Sequence, residues 1–367
     1  MPRAIHQILP FFAYGDAIGN QALELRRLIR ELGIRSDIFA ENWDWRLRRE
    51  CLPYREYDFV SQPDNLLILH YSTSGQVVQY VSGLHDRVVL YYHNITPPDF
   101  FYWFNGELAS ELDEARQKLI AFAANVPAIA ASPYNAQELQ KLGFRVLGIA
   151  PYVLRLEQLD QGLAGRGAAE ITQRYTDARM SDWLYVGRIA PNKCVHDVIK
   201  AFYYFHKWIT TSSRLFLVGS AAGAEEYVKT LKQLIESLDL GHAVIFAGHF
   251  DASEGLGAFY QLANLYVSMS EHEGFCIPLL EAMHYQLPVM AYAVTGVPWT
   301  LGKAGVSITR KNYPMIAQVA YEVLTNAELK TNLLQRQHTR LADFAPARVR
   351  DQIRHCLEEA LQMNLEK

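Results

Sequence analysis

Residues 265–283 read LYVSMSEHEGFCIPLLEAM, an apolar strand followed by a polar loop and the start of a helix. Pro278 stands where the first turn of a helix tolerates a proline. Gly274, Phe275 and Cys276 come just before it, so their backbone N–H groups are expected to lie at the helix start without helical partners. Such an end carries a positive dipole and suits a phosphate group. The stretch therefore predicts one strand–loop–helix unit of an α/β sheet, with an anion site at the carboxyl end of the strand.

Short apolar runs alternate with longer amphipathic ones along the whole chain, which predicts repeated βα units and parallel sheets. The strand candidates in the first half are Ile5–Phe12, Ser36–Ala40, Asn65–His70, Arg87–Tyr92 and Ala128–Ala131. Those in the second half are Trp183–Val186, Arg214–Val218, Ala243–Phe246, Leu265–Met269 and Pro288–Ala291. The pattern predicts an α/β fold of two doubly wound, Rossmann-like domains that face each other across a cleft, with ligands at the carboxyl ends of the strands.

Helix signals and breaks in the pattern predict where the domains begin and end. A helix is expected between the glycine turn at residues 14–20 and Gly33, and another opens at Ser132 and Pro133, an N-cap and first-turn pair, and ends at Gly143. Residues 155–181 have little regular period and are predicted to form a linker. The expected domains are 1–152 and 153–346. They are followed by a terminal segment, 347–367, whose amphipathic helix at Ala347–Met363 is expected to pack back on the first domain.

The composition is that of a globular protein. The 367 residues include 39 acids and 35 bases, and the formal charge of −4 argues against a dedicated nucleic-acid binder. The four cysteines form no CxxC pair, so a zinc or redox motif is unsupported, and they fit a reducing compartment. Neither an apolar run of ~18 residues nor a signal peptide is found. The expected location is the cytoplasm, with or without peripheral attachment at the inner face of the plasma membrane.

Two glutamates flank the helix start that begins at Gly274. Glu273 lies in the loop, and Glu281 lies about one turn into the helix. A carboxylate at either place can accept hydrogen bonds from sugar or ribose hydroxyls. Spacing alone leaves another interpretation open, in which Glu281 is a solvated helix residue and Glu273 an acid favoured by the helix dipole.

A second stretch, LYVGRIAPNK at residues 184–193, runs from a strand into a glycine, then an arginine, then a lysine. A departing diphosphate needs positive charge where its negative charge grows. The guanidinium of Arg188 and the ammonium of Lys193 can supply that charge without a metal. Taken alone, the same two residues could equally be solvated cations on a loop.

These two stretches, in this order and about 85 residues apart, resemble the donor-binding half of the family 4 retaining glycosyltransferases, in a bacterial polysaccharide and lipopolysaccharide-type group. The resemblance extends over nearly the whole chain and is sharp from about Trp183 to Gly305. It implies the GT-B fold, with an N-terminal acceptor-binding domain and a C-terminal nucleotide-sugar-binding domain. Glu273 would then face the donor sugar, and Glu281 the ribose. The residues that would bind the donor diphosphate are Arg188, Lys193, Gly274, Phe275 and Cys276.

Other candidate residues rest on the same resemblance. His93 follows the strand Arg87–Tyr92 and is the candidate that reaches the donor sugar, with His70 as a weaker one. The loop that contains His249 and Phe250 is expected on the side of the nucleotide base.

The N-terminal turn with Gly15, Asp16 and Gly19 is neither a dinucleotide-binding motif nor a Walker A loop, and in the family it borders the acceptor. Two positions depart from the family pattern. Cys194 stands where a glycine is more usual, which is expected to matter little. Trp299 stands where an acid is usual, which leaves the contacts of its loop open.

The resemblance implies a metal-independent, retaining transfer of a sugar from a UDP- or GDP-linked donor to a glycan or lipid-linked acceptor in cell-surface polysaccharide synthesis. No Asp-x-Asp sequence occurs, and no metal or other cofactor is expected. Glu273 and His93 are the catalytic candidates, and Glu273 could be a nucleophile or could only position the donor sugar. Two alternatives stay open: a nucleotide-sugar 2-epimerase, which needs no acceptor, and an inactive nucleotide-sugar-binding subunit.

Basic residues concentrate in the first domain, although the chain as a whole is acidic. They are Arg26, Arg27, Arg30, Arg35, Arg46, Arg48, Arg49 and Arg55. Anionic lipid attracts such a patch, and aromatic residues nearby could lie at headgroup level. The aromatic candidates are Trp43, Trp45 and Phe100–Phe104. Peripheral contact with an anionic membrane is one expectation. The other is that the patch is neutralised by Glu24, Glu31, Glu41 and Glu50 and that the aromatic residues are core.

Overall fold

In the computed structural model, which describes residues 4–362, the chain forms two parallel β-sheets. The first contains β1 (Ile5–Phe12), β2 (Ile38–Trp43), β3 (Leu52–Pro53), β4 (Leu66–Tyr71), β5 (Arg87–Tyr92), β6 (Ala128–Ala130) and β7 (Val146–Ile149). The second contains β8 (Ser181–Val186), β9 (Ser213–Val218), β10 (Val244–Gly248), β11 (Leu265–Ser268), β12 (Val289–Tyr292) and β13 (Val306–Ile308). Their orders are β3-β2-β1-β4-β5-β6-β7 and β10-β9-β8-β11-β12-β13.

Both sheets change the direction of strand addition beside their first strand. The change lies between β1 and β4 in one sheet and between β8 and β11 in the other. In open parallel sheets, ligands bind outside the carboxyl ends of the strands at such a switch point. The predicted α/β fold with two doubly wound sheets is therefore confirmed.

Fourteen helices are found in residues 4–362. The first four are α1 (Ala17–Glu31), α2 (Gln76–Ser82), α3 (Gly106–Phe122) and α4 (Pro133–Lys141). The next five are α5 (Leu156–Gly162), α6 (Arg166–Tyr175), α7 (Val195–Trp208), α8 (Glu225–Ser237) and α9 (Leu256–Leu262). The last five are α10 (Ile277–His284), α11 (Val297–Leu301), α12 (Tyr313–Thr325), α13 (Ala327–Leu341) and α14 (Pro346–Gln362). Short 3₁₀ turns also occur, among them Pro191–Lys193 and Ala252–Glu254.

The central strands of each sheet are buried on both faces, as parallel sheets covered by helices require. All six residues of β4 are buried, and so are seven of the eight residues of β1. In the second sheet the indole of Trp183 packs against Phe202 and Phe205 of α7, with ring centroids 5.6 and 5.1 Å away. The apolar runs of the sequence thus become the core of each sheet, and the polar residues at strand ends are left at its edges.

The expected helix ends in the first half are confirmed by their capping bonds. Asp16 accepts a hydrogen bond from the Gly19 N–H at 2.5 Å, and Ser132 accepts one from the Asn135 N–H at 3.1 Å. Gly143 follows the end of α4 with φ +91, a left-handed conformation that glycine adopts without strain.

The linker predicted over residues 155–181 is wrong, because this segment contains α5 and α6. Its glycines mark close packing. A Cβ on Gly162 would lie 1.9 Å from the carbonyl oxygen of Ala252, and one on Gly167 would lie 2.3 Å from that of Glu254. The two helices therefore approach a backbone turn that only glycine admits. The sequence pattern was misread because glycine for close approach and glycine for flexibility look alike.

The chain divides into two compact units. The first comprises the described residues up to Pro98, Glu107–Leu154 and those from Phe344 onward, and the second comprises Asp99–Gly106 and Arg155–Asp343. The division near Leu154 falls two residues from the predicted boundary. Helix α14 packs on β7 of the first unit, where a Cβ on Gly148 would lie 2.6 Å from Cys356 Sγ. Met363, the predicted end of this helix, lies outside the described residues.

No helix within residues 4–362 is both long enough and apolar enough to cross a membrane.

Candidate active site

The loop after β11 is fixed by backbone contacts on both sides of Glu273. Thr295 Oγ1 accepts a hydrogen bond from the Glu273 N–H at 3.0 Å, and the Gly296 N–H donates to the Glu273 carbonyl at 2.9 Å. A Cβ on Gly296 would lie 2.5 Å from the Gly274 carbonyl oxygen and 2.6 Å from that of Glu273. The loop after β12 therefore sets the height of Glu273 above the sheet, and only glycine fits at the point of contact.

Lys193 and Glu273 form an ion pair. Lys193 closes the short turn Pro191–Lys193 after β8, and its Nζ is 2.6 Å from Glu273 Oε2. The two side chains are 21% and 11% exposed, so both charges are largely withdrawn from water. Asn192 adds a neutral link, because its Nδ2 donates to the His272 carbonyl at 3.2 Å. The two predicted stretches thus meet at one place on the carboxyl edge of the second sheet.

Arg188 lies on the same edge with an exposed side chain. Its carbonyl oxygen accepts a hydrogen bond from Tyr185 Oη at 2.9 Å, which fixes the backbone after β8. Within residues 4–362 its guanidinium has no ion pair or hydrogen bond. It is therefore a cation held on a fixed backbone with its donors directed to solvent.

The start of α10 has the predicted form. Pro278 lies in its first turn, and Cys276 caps it in a left-handed conformation with φ 72. Among the described residues, the N–H groups of Gly274 and Cys276 have no hydrogen-bond acceptor. Thr300 Oγ1 holds the Phe275 carbonyl, which keeps the peptide chain in place. Unpaired N–H groups at the positive end of a helix are suited to an anion.

Cys194 also has a left-handed backbone, with φ 49. This gives the physical reason why a glycine is more usual there, because glycine adopts that conformation without strain. Its side chain is 2% exposed, and burial raises the pKa of the thiol to about 11. The thiol is therefore a packed, protonated group in the turn after Lys193. The prediction that this departure matters little stays a prediction.

Glu281 lies on α10 and is half-buried. Its Oε2 accepts a hydrogen bond from Tyr260 Oη at 2.6 Å, and Tyr260 stacks on Tyr285 with ring centroids 5.6 Å apart. Burial raises the pKa of Glu281 above its ordinary value, while the Tyr260 hydroxyl acts in the opposite direction. The second glutamate is therefore oriented by an aromatic wall and is not a freely solvated helix residue.

The loop after β10 contains His249 and Phe250. His249 is more than half exposed, and its Nε2 is 3.0 Å from Asp251 Oδ1. The Phe250 ring packs on Phe259 of α9, with centroids 5.2 Å apart. Gly219 directly follows β9, and its N–H donates to the carbonyl of Gly248, the last residue of β10, at 2.8 Å.

One group in residues 4–362 has the geometry to hold a metal ion, namely Cys194, His196 and Asp197, whose ligand atoms lie within 4.8 Å of one another. Asp197 already accepts from Lys311 Nζ at 2.6 Å and from Tyr313 Oη at 2.7 Å. A neighbouring ammonium and a protonated thiol both oppose a cation. These residues therefore fit a metal poorly.

All three predicted residues of the turn before α1 have a structural role. Asp16 caps the helix, and Gly19 is buried where a Cβ would lie 2.1 Å from the Ala13 carbonyl oxygen. Gly15 has φ 76. The glycines are thus required by the turn itself, and the exposed Asp16 is the polar group that the turn presents.

His93 follows β5 in the first unit and is 7% exposed. Its Nε2 is 2.8 Å from His70 Nδ1, and its Nδ1 is 3.0 Å from Tyr152 Oη. His70 Nε2 is in turn 2.9 Å from Gln7 Oε1. Burial lowers the pKa of His70 to about 3 and holds the pKa of His93 well below its ordinary value, with His70 adding to the effect. Both imidazoles are therefore neutral.

Gln7, His70, His93 and Tyr152 form a row of hydrogen bonds, and the orientation of the Gln7 amide decides which ring nitrogens carry protons. Gln7 Nε2 donates to the Ala22 carbonyl at 3.1 Å, so its Oε1 is the acceptor that faces His70. His70 then carries its proton on Nε2 and accepts at Nδ1 from His93 Nε2–H, and His93 Nδ1 accepts from the Tyr152 hydroxyl. Both ring nitrogens of His93 are thus engaged within the first unit. A contact with a sugar, as predicted, would require one of them to exchange its partner.

Comparison with known proteins identifies the second half of the chain. Residues 177–339, which contain the paired loops of Glu273 and Lys193, match the family described as glycosyl transferases group 1. This segment belongs to that family. It is a glycosyltransferase domain, and the predicted family resemblance is confirmed.

A curated relative and two solved structures agree with this assignment. The O-antigen chain mannosyltransferase B of Escherichia coli is 25% identical over 263 residues, which is 71% of this chain and 64% of the relative. Sucrose-phosphate synthase from Thermosynechococcus elongatus superposes with a TM-score of 0.74 at 20% identity, over 97% of this chain and 99% of that one. Anabaena HepE in complex with UDP-glucose gives 0.74 at 18%, over 96% and 99%. The two structures show the fold, and the GT-B architecture is confirmed.

Several residues that shape this candidate site were not predicted as such. Thr295 holds Glu273, Asn192 joins the two loops, and Tyr260 orients Glu281. Lys311 binds both Asp197 and Glu271. Of these, Asn192 lies in the stretch 184–193 that was already singled out, and Thr295 lies in the loop of Trp299, where a polar residue beside Gly296 was the available signal. Nothing in the sequence pairs Tyr260 with Glu281.

Proposed function

We propose that this glycosyltransferase transfers a sugar from a nucleotide diphosphate sugar to a glycan or lipid-linked acceptor, without a metal and with retention of the anomeric configuration. The observation that carries the proposal is the largely buried Lys193–Glu273 pair, beside the unpartnered N–H groups at the start of α10. It places a cation, a carboxylate and an anion-binding backbone on one strand edge. The cation and the backbone N–H groups suit a diphosphate, and the carboxylate suits the hydroxyls of an attached sugar.

In this proposal the chain's cations replace a metal. Departure of the nucleotide diphosphate builds negative charge on the β-phosphate, and Arg188, Lys193 and the N–H groups of Gly274 and Cys276 stabilise it. The ribose hydroxyls donate to Glu281, whose carboxylate Tyr260 already orients. Glu273 accepts from the sugar hydroxyls once Lys193 has turned to the phosphate. The acceptor hydroxyl attacks from the same face as the leaving group, whose phosphate takes its proton.

A panel of donors and acceptors would identify the nucleotide and the acceptor that the enzyme uses. UDP-glucose, which is bound in the similar Anabaena protein, and GDP-mannose are the first donors, with lipid and oligosaccharide extracts as acceptors. Retention is read from the anomeric configuration of the purified product by NMR. Epimerised sugar formed without acceptor would identify an epimerase, and nucleotide binding without turnover would identify an inactive binding subunit. Either result would overturn the proposal.

Activity is expected to survive an excess of chelator, since the proposed phosphate ligands are Arg188, Lys193 and backbone N–H groups. Initial rates with and without EDTA measure this after dialysis against the chelator. Loss of activity that magnesium or manganese restores would contradict the proposed site and would direct attention to Cys194, His196 and Asp197.

The two glutamates are expected to fail in different ways. Glu281→Gln should weaken binding of the free nucleotide diphosphate by roughly ten- to a hundredfold, since a hydrogen bond to a charged group contributes about 1.5–3 kcal/mol. Glu273→Gln should leave that binding unchanged or tighter, because Lys193 no longer has to leave a carboxylate, and should lower kcat. Calorimetry with UDP and GDP, followed by kinetics, measures both. Equal weakening of nucleotide binding by the two variants would refute the division of roles.

We propose that peripheral contact with an anionic membrane involves only three of the eight arginines that concentrate in the first domain. Arg26, Arg27, Arg30, Arg35 and Arg46 each pair with a carboxylate. In the described chain Arg48, Arg49 and Arg55 have no ion pair, while Trp45 and Phe59 nearby in sequence are 69% and 87% exposed. We define these five residues as the basic–aromatic patch.

Replacing the three arginines of this patch by glutamine should lower binding to anionic vesicles by about a hundredfold at low salt, at ~1 kcal/mol for each basic residue. Co-sedimentation with vesicles with and without anionic lipid measures it. Neutralising three exposed cations of the second unit, Lys232, Lys303 and Arg336, is the control and should change little. Equal loss in both triple variants, or no binding by the unaltered protein, would rule out this surface.

A further inference from the structure

Two segments of the second unit are joined by two ion-pair links, in addition to the hydrogen bonds that Asn192 makes with Glu271 and His272. The first link is the ion pair between Lys193, after β8, and Glu273, after β11. The second is Lys311, in the loop after β13, whose Nζ is 2.6 Å from both Asp197 Oδ2 and Glu271 Oε1. Asp197 is four residues beyond Lys193, and Glu271 is two residues before Glu273. Lys311 thus bridges the same two segments independently of the Lys193–Glu273 pair.

The Lys311–Asp197 half of this second link is more deeply buried than the Lys193–Glu273 pair. The Lys311 side chain is 16% exposed and that of Asp197 is 5% exposed, while Glu271 is 43% exposed. Tyr313 Oη donates to the other Asp197 oxygen at 2.7 Å, and the Lys311 ammonium lies 4.8 Å from the centre of the Tyr292 ring. Burial opposes the charge on Lys311, but its bonds to Asp197 and Glu271 outweigh that cost and raise its pKa. The bridge therefore stays charged and closed.

In the proposed mechanism the first link opens when a donor binds. Lys193 has one ammonium, and a diphosphate brings more negative charge to it than the single carboxylate of Glu273. Once Lys193 turns to the phosphate, Glu273 loses its cation, and the loop after β11 loses one of its attachments to the turn after β8. The Lys311 bridge involves neither Lys193 nor Glu273, so it is unaffected by this exchange.

We propose that Lys311 is a positioning residue that holds the Glu271–Glu273 loop against the start of α7 while the donor diphosphate draws Lys193 away from Glu273. The inference rests on the proposed function, because it requires Lys193 to bind the diphosphate. Lys311 contacts neither Lys193 nor Glu273 and acts only through Asp197 and Glu271.

Glu271→Ala tests the bridge with little risk to folding, because it removes a half-exposed carboxylate and leaves the buried Lys311–Asp197 pair intact. We expect its melting temperature to stay near that of the unaltered protein, while UDP or GDP binds roughly five- to tenfold more weakly, as for residues coupled in one ion-pair network. Glu226→Ala is the matched control, since it removes an exposed carboxylate that pairs with Lys229 on α8. This control should bind nucleotide normally.

Lys311→Met combined with Asp197→Asn separates positioning from stability. The double change removes both buried charges together, so no unpaired charge is left in the interior, yet the connection to Glu271 is lost. We expect a folded protein with the same five- to tenfold loss of nucleotide affinity and a raised KM for the donor. The separate variant Lys311→Arg keeps a cation between Asp197 and Glu271 and should retain much of the nucleotide affinity. Normal affinity in both Glu271→Ala and the double variant, with the unaltered protein binding nucleotide, would overturn the positioning role alone. If the unaltered protein binds neither nucleotide, the proposed function fails and the role fails with it.

Discussion

Replacing Lys193 by methionine is expected to lower kcat/KM for the nucleotide sugar by roughly 30- to 4,000-fold. Truncating one member of a desolvated charge pair costs about 2–5 kcal/mol. Two losses combine here. The departing diphosphate loses its nearest ammonium, and Glu273, whose side chain is only 11% exposed, keeps a negative charge without its partner. Arg188→Ala should cause a loss in the same range, but through the diphosphate alone, because its guanidinium is exposed before the donor binds.

Two further variants divide the effect of Lys193 between these causes. Lys193→Met with Glu273→Gln leaves no unpaired carboxylate, so any recovery of melting temperature over Lys193→Met reports the uncompensated charge. Lys193→Arg keeps the cation and should retain much of the nucleotide affinity. Single-turnover kinetics and thermal unfolding on the same samples measure both. A folded Arg188→Ala, Lys193→Met double variant with near-normal kcat/KM would show that the phosphate ligands have been wrongly assigned.

Gly296→Ala is expected to lower activity about a hundredfold, although it replaces no residue that is proposed to bind substrate. Its backbone is helical, with φ −77, so alanine is not strained there by its own conformation. The new methyl group would instead lie 2.5 and 2.6 Å from the carbonyl oxygens of Gly274 and Glu273. Those oxygens must move, and a displacement near 1 Å in an active-site loop costs about two orders of magnitude in rate. Overpacking of this kind also costs about 1–3 kcal/mol of folding free energy.

Gly241→Ala is the matched control for this variant. Gly241 lies in the same unit, and a Cβ there would meet nothing within 4 Å. It should leave both kinetics and unfolding nearly unchanged. Kinetics at a temperature well below the melting point of both variants separates displacement of the loop from partial unfolding. Normal kcat/KM in Gly296→Ala would mean that the loop after β12 yields without moving Glu273, and the tight placement of the carboxylate would then be unnecessary.

The fold was readable from the sequence because its signals are local. A buried parallel strand is a short apolar run, and a proline such as Pro278 after a polar loop locates the start of a helix within one residue. The strands that were missed are the short β3, β7 and β13, which have two, four and three residues. Unlike the similarly short β6 and β11, whose residues are all buried, these strands contain exposed or half-exposed residues and lack the buried apolar run that marks a strand. The segment 155–181 failed for a different reason, since its glycines serve contacts with residues about 90 positions away.

The site was readable only in part, because its side-chain pairings join distant residues. The types and strand-end positions of Glu273 and Lys193 follow from the sequence, but their mutual contact spans 80 residues. The partners of His93 lie 23 and 59 residues away, and those contacts engage both of its ring nitrogens. Lys311 was not predicted for the same reason, since its partners Asp197 and Glu271 lie 114 and 40 residues away. Residue type indicates what a group can bind, whereas the partner that it has before a ligand arrives is set by the fold.

Because all four cysteines are buried, the rate at which each thiol is alkylated can report on local opening of the chain around it. Burial raises the pKa of Cys51, Cys194 and Cys356 to about 11 and holds that of Cys276 well above its ordinary value, so an alkylating reagent meets thiols that are both covered and protonated. Labelling must then wait for a fluctuation that exposes each sulfur, and its rate measures the free energy of that fluctuation. Labelling of Cys51 and Cys356 reports on the first unit, and labelling of Cys194 and Cys276 reports on the starts of α7 and α10. Slower labelling of the second pair alone in the presence of a nucleotide would show, without any turnover, which part of the chain a ligand has made rigid.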